Sequence, residues 1–247
     1  MSEEKLLNIG KAAEKLNISP ETLRRWDKSG KLVAIKTLGG QRRYREEDLK
    51  KLLSSKILLM ASEWATNKTP EEISEAFYCQ NRAVFETRLL ELSKLLGFSN
   101  EFAPLIISAV GEIGNNSFDH NLGNWPDVPG IFFGYDLKSG IIVLADRGQG
   151  ILTTLQRVKP ELYLHIDALE TAFTEVITGR APEKRGNGLK FVKKVVQKGA
   201  ISLKFQTGNA KLTMNSRAKN FNLETTTDHA RGTLTLIKFT VNNNQNL

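Results

Sequence analysis

Residues 130–146 read GIFFGYDLKSGIIVLAD, two apolar runs on either side of Lys138-Ser139-Gly140, and this stretch restricts the fold more than any other. Each run is short, apolar and bounded by turn residues, which predicts two strands of a buried sheet joined tightly at Lys138-Ser139-Gly140. The second strand stops at Asp146, and Arg147-Gly148-Gln149-Gly150 follows. A carboxylate at a strand end can accept a hydrogen bond from a ligand's amino group, and Gly148 and Gly150 let the backbone approach closely.

The rest of the chain is sufficient to cover such a sheet. It has 247 residues, 40% hydrophobic and 25% charged, an ordinary globular balance. Its longest apolar runs fall well short of the roughly 18 residues of a membrane span, and MSEEKLL lacks a secretory pattern, so a cytoplasmic protein is expected. Cys79 is the sole cysteine, which excludes an internal disulfide, and His120, His165 and His229 are too scattered for a zinc cluster. The net charge is +8, and residues 1–55 hold 13 Lys and Arg against 8 Asp and Glu. The first fifth is therefore the basic part, which points weakly to nucleic acid.

Within that fifth, IGKAAEKL from Ile9 has a helical pattern, and Ser19-Pro20 forms an N-cap and first helical position for PETLRRWDK. Leu23 and Trp26 face inward, leaving Arg24, Arg25 and Lys28 elsewhere. LVAIKTLGGQRRY then reads as two extended pieces around Gly39-Gly40. Two small helices and an arginine-tipped hairpin suit a duplex, one helix entering the major groove while the hairpin touches the backbone.

These residues, TLRRWDKSGKL followed by GGQRRY, resemble the winged helix-turn-helix of MerR-type regulators and excisionases over about residues 6–53. The resemblance implies Thr22, Arg24 and Arg25 on a recognition helix, with Lys28 beside them, and Arg42, Arg43 and Tyr44 in the wing, contacting phosphates and base edges of double-stranded DNA. Gln41 departs from the usual wing, and no effector module of the usual MerR type follows. Residues Glu46–Trp64 have helical spacing and can pair with a second copy or pack on the following domain. From Thr69 the pattern predicts two helices, the first opened by Thr69 and Pro70 and the second ended by Gly97.

A helix is expected over Glu101–Leu122, with Ile106, Ile107, Val110, Ile113 and Phe118 on one side and Glu112, Asn116 and Asp119 on the other. Further on, KRGNGLKFVKKVV places Gly186 and Gly188 before a helix whose first amides can face phosphate. Glu112-x-x-x-Asn116 with Asp119 and His120, then Asp146-x-Gly148-x-Gly150, then Gly186-Asn187-Gly188-Leu189 together resemble the nucleotide-binding boxes of the GHKL group (gyrase, Hsp90-type chaperones, histidine kinases, MutL). The match covers about residues 100–242.

The resemblance implies ATP held between a sheet and helices. Asn116 would hold Mg²⁺, with Asn115 its competitor; Glu112 would orient or deprotonate the attacking group; Asp146 would read the adenine amino group. Residues 178–188, TGRAPEKRGNG, would form a lid from which Arg180, Lys184 and Arg185 contact phosphate. Lys190 stands where histidine kinases often carry another glycine. The expected architecture is α+β: an all-α winged helix-turn-helix over residues 1–55, connecting helices over 56–99, and a GHKL α/β sandwich over 100–247 with a mixed sheet and helices on one face. AISLKF, NAKLTMN and GTLTLIKFTV supply further strands.

Residues 46–100 contain no histidine, so histidine autophosphorylation is not expected; nor are strand passage and chaperone cycling, for which gyrase, MutL and the chaperones use large coupling domains. Three functions fit: a DNA-binding regulator responsive to nucleotide or partner, a serine kinase like the small anti-sigma kinases acting on a STAS-type partner, and a protein holding ATP as a structural ligand. A homodimer is expected for the first, because one small module buries little DNA surface.

Overall fold

The computed structural model describes residues 5–16, 19–28, 30, 32–37, 39–69, 72–97, 101–176 and 188–241. The chain divides into two compact units, Met1–Ile57 and Leu58–Leu247.

The first unit opens with strand β1 (Leu6–Asn8) and helix α1 (Ile9–Leu16), which Asn8 caps by accepting the Lys11 N–H at 2.9 Å. Helix α2 (Pro20–Lys28) is capped as its sequence predicts: Ser19 Oγ accepts the Thr22 N–H at 3.1 Å. Strands β2 (Ile35–Lys36) and β3 (Arg42–Arg45) follow, joined through a turn in which Gly40 takes φ +75°. The unit is not all-α, because β3 also pairs with β1, giving a three-stranded antiparallel sheet in the order β1-β3-β2. Its core joins Ala12, Ala13, Leu16, Leu23, Tyr44 and Leu49. Helix α3 (Glu46–Thr66) starts directly after β3 and crosses the division between the units.

The second unit contains β4 (Tyr78–Cys79), α4 (Arg82–Leu96), α5 (Ala103–Asn121), β5 (Ile131–Asp136), β6 (Ile141–Asp146), α6 (Gly150–Gln156), α7 (His165–Thr174), α8 (Gly188–Gln197), β7 (Ser202–Met214) and β8 (Asn222–Lys238). Among the described residues its five strands run β4-β5-β6-β8-β7, every neighbouring pair antiparallel. The expected mixed sheet is thus corrected. Parallel neighbours need a crossover, whereas β5 and β6 meet through a tight turn and β7 reverses the chain before β8 returns beside β6.

The predicted hairpin pairs Ile131 with Asp146 and Asp136 with Ile141, and Gly140 takes φ +63° at its turn. Every residue of β6 is buried, so both faces of the sheet are covered there. AISLKF and NAKLTMN merge into the single strand β7, whose register shifts around Gly208. The helix expected after Thr69 is absent from the described residues 72–77, which lead instead into β4; Pro70 itself lies outside them. The second helix of that pair is α4, ended by Gly97 as expected; its N-cap is Asn81.

α4 packs on α5 through Phe85, which meets Phe118 at 6.2 Å and Phe133 edge-on at 5.3 Å. Gly114 leaves room for that ring, since a Cβ there would overlap Phe85; at Gly111 a Cβ would lie 3.2 Å from Leu89 Cδ2. Gly114→Ala should therefore lower the unfolding free energy by about 1–3 kcal/mol, the usual cost of overpacking. Gly111→Ala, whose only conflict is with a flexible leucine tip, should cost less. Chemical denaturation of the two variants checks the order, and equal stabilities would contradict it.

Candidate functional site

In the first unit the basic residues separate by what holds them. Arg25 and Lys28 are exposed on α2, and Arg24 is exposed with an ion pair to Glu21 at 2.7 Å. Thr22 is half-buried and contacts the cap, its Oγ1 lying 2.9 Å from Ser19 Oγ. Arg42 gives its Nε–H to Asp27 Oδ2 at 2.6 Å, while Asp27 Oδ1 accepts the Ala34 N–H at 3.0 Å. The Ala34 amide first, and Arg42 next, hold the Asp27 carboxyl below its usual range.

Tyr44 is a correction. It is fully buried, its hydroxyl donates to Leu23 O at 3.4 Å, and burial pushes its phenol up, so it is core rather than a DNA contact. Strand alternation in Arg42-Arg43-Tyr44-Arg45 carries the signal: Arg42 and Tyr44 share one face, Arg43 and the exposed Arg45 the other. Asp27, the hub that ties α2 to the wing, is a residue the sequence reading missed.

In the second unit a cavity of about 100 Å³ is walled by Ile113, Asn116, Ser117, His120 and Asn121 of α5, Asp146 at the end of β6, Gly150, Ile151, Thr154 and Leu155 of α6, Ala172 of α7, Leu189 of α8, Phe205 of β7 and Thr233 of β8. All three predicted boxes thus reach one space, through Asn116 and His120, Asp146 and Gly150, and Leu189. The enclosed volume is below the few hundred Å³ that usually surround a complete small ligand.

Asp146 is 1% exposed. Its Oδ2 accepts from Ser117 Oγ at 2.8 Å and Thr233 Oγ1 at 2.6 Å, and its Oδ1 from the Gly148 N–H at 2.8 Å. Burial pushes its carboxyl above the usual range against those hydrogen bonds, the Thr233 hydroxyl foremost. Glycines make the approach feasible: a Cβ on Gly232 would overlap Asp146, and one on Gly148 would overlap the Asn121 amide. Asn121, 3% exposed, accepts the Gln149 N–H at 2.8 Å and donates to Ser117 O at 2.7 Å, so it binds the turn after β6 to α5.

Ser117, Asn121 and Thr233 were missed by the sequence reading. Ser117 follows Ile113 by four residues and Asn121 follows Ser117 by four, which puts both on the Ile113 side of the helix and was a readable signal. Thr233 was not readable, because only the β6–β8 pairing brings it here.

The remaining predicted residues lie elsewhere. Asp119 forms an ion pair with Arg82 of α4 and is absent from the cavity wall. At about 100° per residue it sits roughly a third of a turn from the centre of the cavity-facing stripe. Glu112 is exposed and off the wall, yet a Cβ on Gly188 would come within 2.5 Å of its Oε2 and 3.3 Å of Asn116 Nδ2. Asn115, the alternative to Asn116, is also off the wall. The start of α8 therefore touches the first box only because residue 188 has no side chain. Lys190 donates to Glu175 O, and burial lowers its ammonium pKa. Arg180, Lys184, Arg185, Gly186, Asn187 and the expected lid lie outside the described residues. Among the described residues no three or more His, Cys, Asp or Glu gather as a metal site, and no helix is long and apolar enough to cross a membrane.

With this geometry in place, residues 8–44 match the family model described as "MerR family regulatory protein". Over 50 residues the chain is 54% identical to "Transcriptional repressor DcmR" of Methylorubrum extorquens, a match covering 19% of this chain and 18% of that protein. The chain thus carries a MerR-type helix-turn-helix domain at its N-terminus within an α+β protein, and it matches less than a fifth of that relative's length.

The two groups of cations should respond differently to substitution. Arg25→Ala or Lys28→Ala should leave thermal stability within about 0.5 kcal/mol of wild type, as exposed sites do. Each should weaken DNA binding and flatten its salt dependence by about one unit of slope. Arg42→Ala should lower the melting temperature, because it strands the Asp27 carboxylate. Melting curves and DNA titrations at several salt concentrations check this; an Arg42→Ala protein as stable as wild type would contradict it.

Proposed function

We propose that this chain is a MerR-type DNA-binding transcriptional regulator whose second unit binds ATP in a GHKL-like site and alters DNA binding accordingly. The exposed cations of α2 and the wing meet phosphates and base edges. Two copies supply the buried area that a specific site requires.

One observation carries the nucleotide reading: the polar end of the cavity is built to accept hydrogen bonds. Ser117 and Thr233 each have one hydroxyl proton and direct it to Asp146, which leaves acceptor capacity on the wall. A ring edge bearing an amino donor satisfies that wall, and adenine has one. Ile113, Ile151, Leu155, Leu189 and Phe205 supply the apolar surround of a flat ring. The cavity is below the volume that a whole nucleotide needs, so on this reading it takes the base end alone.

Magnesium, when bound, neutralises charge on the triphosphate; Asn116 is the wall residue whose amide oxygen suits an ion that otherwise keeps water and phosphate oxygens. Ligand changes DNA affinity to the extent that it binds the two conformations or assembly states unequally.

Calorimetric titration with ATP, with and without Mg²⁺, followed by titration of labelled DNA in both conditions, tests this reading. Heat of binding and shifted DNA curves are expected; the absence of heat, or superimposable DNA curves, would refute the corresponding half. Asp146→Asn is the informative variant. Its amide oxygen can still accept the Gly148 N–H while its NH₂ donates to the two hydroxyls, so the fold should survive. The wall then offers donors, and ATP affinity should fall at least tenfold, the scale of a hydrogen bond to a charged group. The sign of the pH effect is also set. Because the folded-state pKa of Asp146 is raised, folding favours its protonated form, and the wild type loses stability as pH rises above about 3.8. Asn has no such loss, so the variant's relative stability should improve from acid toward neutral pH.

A further inference from the structure

Arg147 stands between Asp146 and Gly148, and its side chain is 0% exposed. The GHKL pattern leaves this position unspecified. Its guanidinium has five N–H donors, and five contacts use them. Nε and Nη2 donate to Asp127 Oδ2 at 3.0 and 2.7 Å, Nη1 to Trp64 O and to Asn67 O at 3.0 Å, and Nη2 to Lys68 O at 3.4 Å. Its carbon also lies 6.0 Å from the Trp64 ring centre. Arg231 reinforces the group, donating to Asn67 O at 3.2 Å and lying 3.7 Å from Asp127.

The three carbonyls belong to the C-terminal end of α3 and the residues just after it. The last carbonyls of a helix lack partners within it and carry partial negative charge, so a buried guanidinium is a matched cap. The other end of α3 is fixed in the first unit: Glu46 N–H donates to Lys5 O at 3.0 Å and the Glu46 carboxylate pairs with Lys15 of α1.

Arg147 therefore shares a three-residue backbone segment with the cavity wall. Asp146 on one side faces the cavity, and Gly148 on the other is bonded to Asp146 Oδ1. A ligand that changes the hydrogen bonds of Asp146 acts on the backbone that carries the clamp on α3. We infer that Arg147 is the positioning residue that couples occupancy of the Asp146 cavity to the DNA-binding unit, through its hold on the end of α3 and without touching either ligand. This rests on the nucleotide reading above.

Arg147→Lys tests it in the full-length protein, since lysine keeps the charge but cannot fork to three carbonyls and a carboxylate. Three quantities are read for wild type and variant: ATP affinity by calorimetry, hydrogen exchange of residues 62–68 with and without Mg-ATP, and DNA affinity with and without Mg-ATP. In the wild type, Mg-ATP should change DNA affinity by about tenfold, within the usual range of coupling between sites, and alter exchange at 62–68. In Arg147→Lys, ATP and DNA should each bind within about threefold of wild type, while the nucleotide effect on DNA falls below about twofold and the exchange response disappears. Asp127→Asn, which loosens the clamp from its outer side and leaves the arginine in place, should reduce the same coupling and serves if Arg147→Lys does not fold.

A variant that binds ATP and still shows the full wild-type effect on DNA would overturn the role of Arg147 and leave the nucleotide reading standing. Wild-type protein that binds ATP with no effect on DNA would overturn the coupling itself. Wild-type protein that gives no heat with ATP would remove the nucleotide reading first, and this inference with it.

Discussion

A carboxylate removed from water at the end of a central strand is the constraint around which the second unit is organised. Leaving Asp146 charged and unpartnered would cost several kcal/mol, so the fold must bring donors to it from outside its own strand. Ser117 comes from α5, Thr233 from β8, and the Gly148 amide from the turn that follows. Bringing a helix, a neighbouring strand and a turn to one atom pair fixes their mutual placement, and it forbids side chains at Gly148 and Gly232. The cavity is the space left beside that convergence. Its acceptor character follows from the way the burial of Asp146 was solved, since hydroxyls that satisfy a carboxylate have no proton left to offer elsewhere.

The same physics explains what the sequence made readable. Apolar runs with a turn between them identify β5 and β6, and Ser19 and Gly97 mark helix ends, because these signals are local. The glycine boxes were readable because close backbone approach demands that residue type wherever it occurs. Thr233 has no local signature, and its role exists only once β8 lies beside β6. Asp119 looked like its neighbour Asn116 in the sequence, yet three residues of helical rotation carry it to Arg82. Thr69-Pro70 with its acidic followers has the form of a helix start, but the described residues after it enter β4, where Tyr78 and Cys79 pair with Phe132 and Ile131 and contribute the edge of a five-stranded sheet. Tertiary pairing outweighed the local preference there.

The first unit separates cations that build the fold from cations that face water. Arg42 and Lys15 are spent on Asp27 and Glu46, and both acids lie at junctions, one between α2 and the wing and the other at the start of α3. Arg25 and Lys28 are exposed on α2. Counting charges along the chain cannot make this distinction, because a basic residue beside an acid in space is often far from it in sequence. The excess of +5 in residues 1–55 therefore overstates one kind of patch and hides two structural ion pairs.

Arg147 and Asp146 show how adjacent residues can serve opposite sides of a strand end without either being free to vary alone. Moving a guanidinium out of water is costly, and a single carboxylate seldom repays it. Here the cost is offset by three backbone carbonyls at and just after the end of a helix together with Asp127, so removing the arginine takes a donor from the Trp64 and Lys68 carbonyls and leaves Arg231 as the guanidinium beside Asn67 O and Asp127. A lysine could neutralise Asp127 but has neither the fork nor the number of donors to serve those carbonyls. The arrangement is thus worth its burial only while the end of α3 and the turn after β6 stay in register with one another. That mutual dependence is the physical content of the coupling inferred above: on that proposal, a change in the hydrogen bonding of Asp146 reaches the end of α3 through the guanidinium of the next residue.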